Sequence, residues 1–239
     1  TMFLAGILLY CMKKYDILLG FTILFGSAYI WRLLSWYFLK KLQDPKQHDT
    51  QQGHFTFFQF IRQFRKSNFA RFVTFVALMS FSVNIASPFF TVLMLNNLKL
   101  NYFLYTIISL TATLTIYSII ARWGRHADKV GNIKIIRFSA KLIGVIPLLW
   151  VINRHPLFLI CAQIFSGFVW AGFNLCTSNF IYDAVTPQKR TRCIAYFNTL
   201  NGVALGCGAL LGGWFLSFLP PLFGHNILTL FVISSVLRF

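Results

Sequence analysis

Apolar residues run through most of this chain in long blocks, and each block is separated from the next by a short polar segment. A helix needs about 20 mostly apolar residues to cross a bilayer. Six blocks are long enough, at residues 16–38, 70–95, 103–121, 135–152, 156–182 and 193–219. Two shorter blocks, 1–12 and 226–239, are interpreted as the tail of one more helix and the start of another. The pattern predicts an all-α membrane protein, a polytopic bundle of transmembrane helices, in a chain that is part of a longer protein.

The composition agrees with a membrane protein and disfavours soluble classes. Hydrophobic residues make up 57% of the chain and charged residues 11%, whereas soluble domains carry about 25% charge. The net charge of +17 would suggest nucleic-acid binding in a soluble protein. Here the bases fall in short gaps between apolar blocks, which is the pattern that orients membrane helices. We therefore expect a lipid bilayer as the partner and no nucleic acid.

The basic residues are distributed unevenly between the two sides of the predicted bundle. Most of the 22 Lys and Arg lie in one alternating set of loops, around 40–71, 122–137 and 189–192. Because basic loops remain on the cytoplasmic side of a membrane, we expect these loops in the cytoplasm.

Residues 39–69 form the longest hydrophilic stretch and a natural boundary within the chain. Four apolar residues in it recur at helical spacing opposite polar ones, namely Phe57, Phe58, Ile61 and Phe64. This spacing predicts an amphipathic helix on the membrane surface. A partly disordered linker explains the stretch equally well.

A short motif follows the block at 103–121. It reads Gly-x-x-x-Asp-Lys-x-Gly, and its members are Gly124, Asp128, Lys129 and Gly131. Glycines permit a tight turn between antiparallel helices. The Asp can lie at a helix end and pair with bases or helix-terminal N–H groups. The alternative is an ordinary polar turn.

This motif resembles the signature loop of major facilitator superfamily transporters, in the weaker copy that joins the eighth and ninth helices. The resemblance implies that 1–38 holds the partial fifth helix and the sixth helix of an N-terminal bundle. It implies a cytoplasmic linker between bundles at 39–69, and a C-terminal six-helix bundle with an incomplete last helix at 70–239. The function implied is secondary active or facilitative transport of a small solute by alternating access. We expect a monomer in a bacterial inner membrane, with a proton as one candidate coupling ion.

A second part of the chain also resembles bacterial members of this superfamily. Asp183, Pro187 and Arg190 stand in the loop after 156–182, where these members often carry an acid, a Pro and an Arg. In the family such groups form salt bridges that close the cytoplasmic side. The resemblance thus implies a latch of Asp183, Arg190 and Arg192 with the motif residues Gly124, Asp128, Lys129 and Gly131. Orientation of the helices by positive charge is the simpler alternative for Arg190 and Arg192.

Polar side chains within the apolar blocks are the candidates for contact with a solute. Asn84 shares a helix face with Ser80, Ser87 and Thr91, next to Pro88. Similar stripes lie in two later blocks: Gln163, Trp170 and Asn174, then Asn198 and Asn201. Polar groups in hydrocarbon need protein or water partners, so these stripes face inward. The alternative is that they bond their own helix or join helices to one another.

Glycines recur at Gly-x-x-x-Gly spacing within the block at 193–219. The two pairs are Gly202 with Gly206 and Gly208 with Gly212. Small residues at this spacing let neighbouring helices approach closely.

No set of residues points to enzyme chemistry. The five His and five Asp form no HExxH or catalytic cluster, and the five Cys have no CxxC spacing. We therefore predict no catalytic residues, no metal and no cofactor, and a membrane-embedded enzyme is the less favoured alternative. A non-transporting sensor or assembly protein of the same fold stays open. No acid lies in the middle of a complete block, and Arg32 and Lys141 are the bases within them.

Overall fold

The computed structural model describes residues 17–42 and 67–239, and these residues are almost entirely helical. The helices are α1 (Ile17–Lys40), α2 (Asn68–Val92), α3 (Tyr102–Val130), α4 (Asn132–Ile152), α5 (Pro156–Ala184), α6 (Pro187–Leu216) and α7 (Asn226–Arg238). One π-helical turn, Leu93–Asn97, extends α2. The predicted partial helix at 1–12 and the amphipathic helix around 57–64 lie outside the described residues. No β-strand occurs in the described ranges, and the predicted all-α membrane fold is confirmed.

All six predicted spans correspond to helices that are long and apolar enough to cross a membrane. Several extend further than the apolar blocks, and α3 continues from the predicted end at 121 to Val130. The charged residues that end a hydrophobic block do not end a helix, because their heads reach the polar headgroup region. At 29 residues α3 is about 44 Å long, which exceeds the roughly 30 Å hydrocarbon core.

Prolines and polar caps set the ends of the helices. Pro156 and Pro187 occupy the first turns of α5 and α6, where a missing N–H costs nothing. Asn101 caps α3 by accepting a 2.7 Å hydrogen bond from the Leu104 backbone N–H. Gly131 separates α3 from α4 with a φ of 93°, a conformation that favours glycine. Gly124, by contrast, lies within α3 and takes no part in this turn.

The chain alternates between two ends of the bundle. We call the end that holds the 131 and 185–186 connections the basic end, after Lys129, Lys134 and Lys189 beside them. The connections at 98–101, 153–155 and 217–225 form the opposite end. There the Asn97 Nδ2 atom lies 2.8 Å from the His225 Nδ1 atom and joins the π-helical turn to the start of α7.

Helices pack mainly against partners that are not adjacent in sequence. The most extensive contacts join α3 to α5 and α2 to α6, and α4 lies against both α5 and α7. Helix α7 also contacts α2. Aromatic rings fill the junction of α2, α4 and α7, where Phe90 lies 4.2 Å from Phe231 and 4.9 Å from Trp150 between ring centroids.

The close approach predicted for the glycines of α6 is confirmed at Gly208 and Gly212. Their Cα atoms face the backbone carbonyls of Phe81 and Ile85 in α2, and an added Cβ would overlap those oxygens. Gly202 and Gly206, the other pair, have no neighbour within 4 Å of such a Cβ in the described chain. Glycine is therefore required at one pair only, where two backbones meet.

Most side chains of α1 are exposed, which suits contact with lipid or with further helices. Near its end the Lys40 and Lys41 ammonium groups lie 4.7 and 4.5 Å from the ring centroids of Trp36 and Tyr37. Aromatic and basic residues together are typical of a helix end at the membrane surface.

We predict that Gly212→Ala and Gly208→Ala each destabilise the bundle, because the added methyl group separates α2 from α6. Overpacking of this kind costs about 1–3 kcal/mol. The measurement is the melting temperature of the detergent-solubilised protein. Gly213→Ala is the matched control, since its Cβ would meet only the Phe89 ring, at 4.0 Å. Equal losses in all three variants would contradict the assigned contact.

Candidate functional site

A half-open cavity of about 290 Å³ lies between five helices, α2, α3, α4, α5 and α7. Its size is just below the roughly 300–1,000 Å³ typical of small-molecule pockets. The lining residues are Val83, Ser87, Phe90, Thr91, Met94, Ser109, Ile146, Trp150, Gln163, Ser166, Trp170 and Arg238. Half of these side chains end in a polar group of the Ser, Thr, Gln or Arg type.

The cavity occupies the bundle from its middle toward the opposite end. Gln163 and Trp170 lie seven and fourteen residues from the start of α5, or about 10 and 21 Å along the helix. Both were predicted as solute contacts and both line the cavity. Trp170 is held edge-on to Phe173, with 5.6 Å between ring centroids. The predicted α2 stripe contributes Ser87 and Thr91.

The other predicted solute contacts lie elsewhere. Asn84 is half-buried, and its Nδ2 atom donates a 2.8 Å hydrogen bond to the Ser80 carbonyl of its own helix. Asn174 and Asn198 are exposed in the described chain. Asn201 is half-buried, and its Oδ1 atom has no hydrogen-bond partner among the described residues. None of the four Asn residues lines the cavity, so their contact with solute stays a prediction.

Arg238 is a cavity residue that the sequence analysis missed. It is only 7% exposed, although it lies in the last turn of α7. Its Nη1 atom donates to the Ile143 carbonyl at 3.2 Å, and its Nη2 atom donates to the Val83 carbonyl at 3.3 Å. The Nε and Nη2 atoms also donate to the Ser234 hydroxyl, at 3.2 and 2.9 Å. One guanidinium group thus connects α7 to both α2 and α4.

Buried serines reinforce this connection. The Ser234 hydroxyl donates to the Ser82 carbonyl of α2, and the Ser235 hydroxyl donates to the Gly144 carbonyl of α4, each at 2.6 Å. The Ser82 hydroxyl in turn donates to the Leu237 carbonyl oxygen of α7 at 3.1 Å. The spacing of Ser234, Ser235 and Arg238 along one helix face was the signal in the sequence, since a charge within an apolar block marks a functional site by default.

The predicted latch residues lie at the basic end but contact other groups. The Asn132 Nδ2 atom donates to the Asp183 carboxylate at 3.0 Å, which joins the start of α4 to the end of α5. Arg190 donates to the Tyr182 carbonyl at 3.1 Å, and its guanidinium carbon lies 5.2 Å from the centroid of the Tyr182 ring.

The remaining motif residues are exposed or half-buried. Asp128 and Lys129 line an open groove of about 500 Å³ together with three other residues, Arg122, Arg125 and His126. Gly124 is half-buried against Leu175 of α5. The latch assembled from these residues stays a prediction.

The described residues contain no group of three or more His, Cys, Asp or Glu that could hold a metal ion. Four cysteines within the described ranges, Cys161, Cys176, Cys193 and Cys207, are free thiols.

A family model for the Major Facilitator Superfamily matches residues 122–238. Over these residues the chain belongs to the Major Facilitator Superfamily. The match includes the turn motif, the α4 and α5 walls of the cavity and Arg238, and it confirms the family resemblance inferred from the motif. Members are membrane transporters rather than enzymes, so the chain is a multi-pass protein of the transporter class. A search of curated proteins returned no match.

We predict that Ser234→Ala lowers the stability of this transporter protein by about 1–3 kcal/mol, because Arg238 loses an acceptor and the Ser82 carbonyl loses a donor. The measurement is again the melting temperature in detergent. Ser118→Ala serves as control, since the Ser118 hydroxyl is exposed and bonds only the Leu114 carbonyl of its own helix. A loss at Ser118 as large as that at Ser234 would show that the inter-helix bonds are unimportant.

Proposed function

We propose that this protein moves a small solute across a membrane by secondary active or facilitative transport, and that the five-helix cavity is part of the solute pathway. The observation that carries the proposal is the polar lining of a half-open cavity within the membrane-spanning part of a superfamily member. Polar groups in hydrocarbon are costly and occur mainly where they face protein, water or a transported solute. Gln163 and Trp170, whose side chains carry hydrogen-bonding groups, line that space.

Irregular helix geometry beside the cavity supports an alternating-access mechanism. Pro88 interrupts the hydrogen bonding of α2, and the π-helical turn follows at Leu93. The α2 residues that line the cavity after Pro88, Phe90, Thr91 and Met94, lie between or within these two irregularities. Prolines and π-turns are places where a helix bends. A change of tilt in this segment would open or narrow the cavity.

Contacts at the basic end support the other half of such a cycle. In the proposed orientation this end faces the cytoplasm, and the membrane is a bacterial inner membrane. The Asn132–Asp183 bond closes α4 against α5 there. Asp128, Lys129 and Arg190 are proposed to form ion pairs with the other bundle when the cytoplasmic side closes. The division into 1–38, 39–69 and 70–239 is retained as the proposed domain organisation.

Uptake by the full protein in reconstituted vesicles tests the proposal. We expect initial uptake of at least one solute in a panel of small organic ions and neutral metabolites. Gln163→Leu should slow that uptake at least about tenfold, the equivalent of one lost hydrogen bond at about 1.4 kcal/mol. Cys161→Ser, an exposed change two residues away on α5, should leave the rate unchanged.

Two outcomes would contradict different parts of the proposal. Uptake unaffected by Gln163→Leu would remove the cavity from the pathway. Failure to move any solute would favour a sensor or assembly role on the same fold. Asn174→Ala in the same assay decides whether that exposed residue also belongs to the pathway.

The proposed orientation is tested with single cysteines in a background lacking the five native ones. Lys129→Cys should react with a membrane-impermeant maleimide only when the cytoplasmic face is accessible, because basic loops remain inside. Asn153→Cys, at the opposite end, should react in intact cells. The reverse labelling pattern would overturn the orientation.

A further inference from the structure

The charge of Arg238 is the property of the cavity that the proposed function does not use. The guanidinium is buried, lines the cavity and lies within the membrane-spanning bundle. Each of its hydrogen bonds in the described chain ends on a neutral oxygen: two backbone carbonyls and the Ser234 hydroxyl. Neutral acceptors orient a guanidinium but leave its positive charge uncompensated.

The described carboxylates are too distant to balance this charge. The chain has five Asp and no Glu, and the described ranges contain only Asp128 and Asp183 of these. Asp183 lies thirteen residues beyond Trp170 on α5, about 20 Å along the helix. Asp128 lies nineteen residues beyond Ser109 on α3, about 28 Å away by the same rise. Both are at the basic end, and neither lines the cavity.

The guanidinium also has donor capacity left. It has five N–H groups, and the four recorded hydrogen bonds use one on Nε, one on Nη1 and two on Nη2. The second Nη1 hydrogen therefore has no acceptor among the described residues. A guanidinium edge binds carboxylate and phosphate oxygens through charge-assisted hydrogen bonds.

The remaining lining suits the same kind of ligand. Ser87, Ser109, Gln163 and Ser166 offer hydroxyl and amide donors, and no acidic side chain is among the described lining residues. The volume of about 290 Å³ admits a molecule of small metabolite size. We propose that Arg238 makes this cavity a binding site for a small organic anion carrying a carboxylate or phosphate group. This inference rests on the proposed function, because it names the class of solute.

A purely structural role for Arg238 is the competing explanation, since its hydrogen bonds join α7 to α2 and α4. The two roles differ in one respect. If Arg238 has only a structural role, replacing it changes the stability of the protein but does not change which charged molecules enter the cavity. An anion site requires that the sign of the charge decides which molecules enter.

The first test measures the cavity potential without any ligand. Ser109→Cys, in a background without native cysteines, is treated with an anionic and a cationic methanethiosulfonate of similar size. We expect the ratio of the two modification rates, anionic to cationic, to fall at least about fivefold in Arg238→Gln. Arg238→Lys should retain the ratio. Arg137→Gln, which removes the same charge from an exposed position on α4, should also retain it. An unchanged ratio in Arg238→Gln would overturn the proposal.

The second test neutralises the charge and keeps Arg238 in place, which covers the case that Arg238→Gln does not fold. Gln163→Glu places a carboxylate in the cavity lining, and we expect the same fivefold loss of the rate ratio with no loss of melting temperature. Gln188→Glu, an exposed change at the start of α6, is the matched control and should change neither value.

The third test is uptake by the full protein of two pairs of probes that differ in charge: succinate against succinamide, and glycerol 3-phosphate against glycerol. We expect at least one anion to enter at least about tenfold faster than its neutral partner. The reason is that a hydrogen bond from Arg238 to a charged oxygen is stronger than one to a neutral oxygen. Gln163→Glu should abolish the preference, and comparing the two pairs distinguishes carboxylate from phosphate.

The outcomes separate this inference from the proposed function. If neutral or cationic solutes are transported and neither anion is preferred, the anion site is wrong and the transporter proposal stands. If no solute of any charge is transported, the proposed function fails, and the thiol modification ratios alone decide whether the cavity selects anions.

Discussion

Hydrocarbon offers no water to a polar group, so every N–H, C=O and hydroxyl inside the membrane must find its partner within the protein. The backbone meets this requirement by forming helices. The buried serines of α2 and α7 meet it by donating to helix carbonyls, each of which has a second lone pair. Ser82, Ser234 and Ser235 thereby connect α7 to α2 and α4. Such bonds are needed because lipid tails are as apolar as leucine and give no hydrophobic force between helices.

Helix α2 is held in two different ways along its length. Up to Ile85 it is fixed on one side by the glycines of α6 and on the other by the serines of α7. Beyond that point come Pro88 and the π-helical turn, which weaken the regular backbone ladder. Val83, within this fixed part, already lines the cavity, and the other α2 lining residues follow from Ser87 onward. Most α2 residues that line the cavity therefore lie next to or within the irregular part of the helix.

The buried arginine combines stability with chemistry. An apolar residue would be expected to pack at the same position at lower cost, because burying a charge removes it from water and neutral acceptors return only part of that energy. Arg238 instead connects three helices and keeps a positive charge at the cavity wall. The connection and the charge come from one side chain, so evidence for a site must come from electrostatics and selectivity rather than from stability alone.

The sequence by itself determined the membrane class, six spans to within a few residues at most ends, and the superfamily, because hydropathy, loop charge and a turn motif are local properties. It placed the end of α6 three residues too late, since that helix ends at Leu216 before two prolines, and it missed the charged ends of three helices, the end of α3 and the starts of α4 and α6. Two of its predicted solute contacts, Gln163 and Trp170, line the cavity, and their contact with solute stays a prediction. Only the tertiary structure separated them from Asn84, which bonds its own helix, because a polar stripe does not reveal which helix it faces. Likewise Gly208 and Gly212 differ from Gly202 and Gly206 only in what lies opposite. Arg238 became a cavity residue because α2, α4 and α7, distant in sequence, meet around it, and such contacts have no local signature.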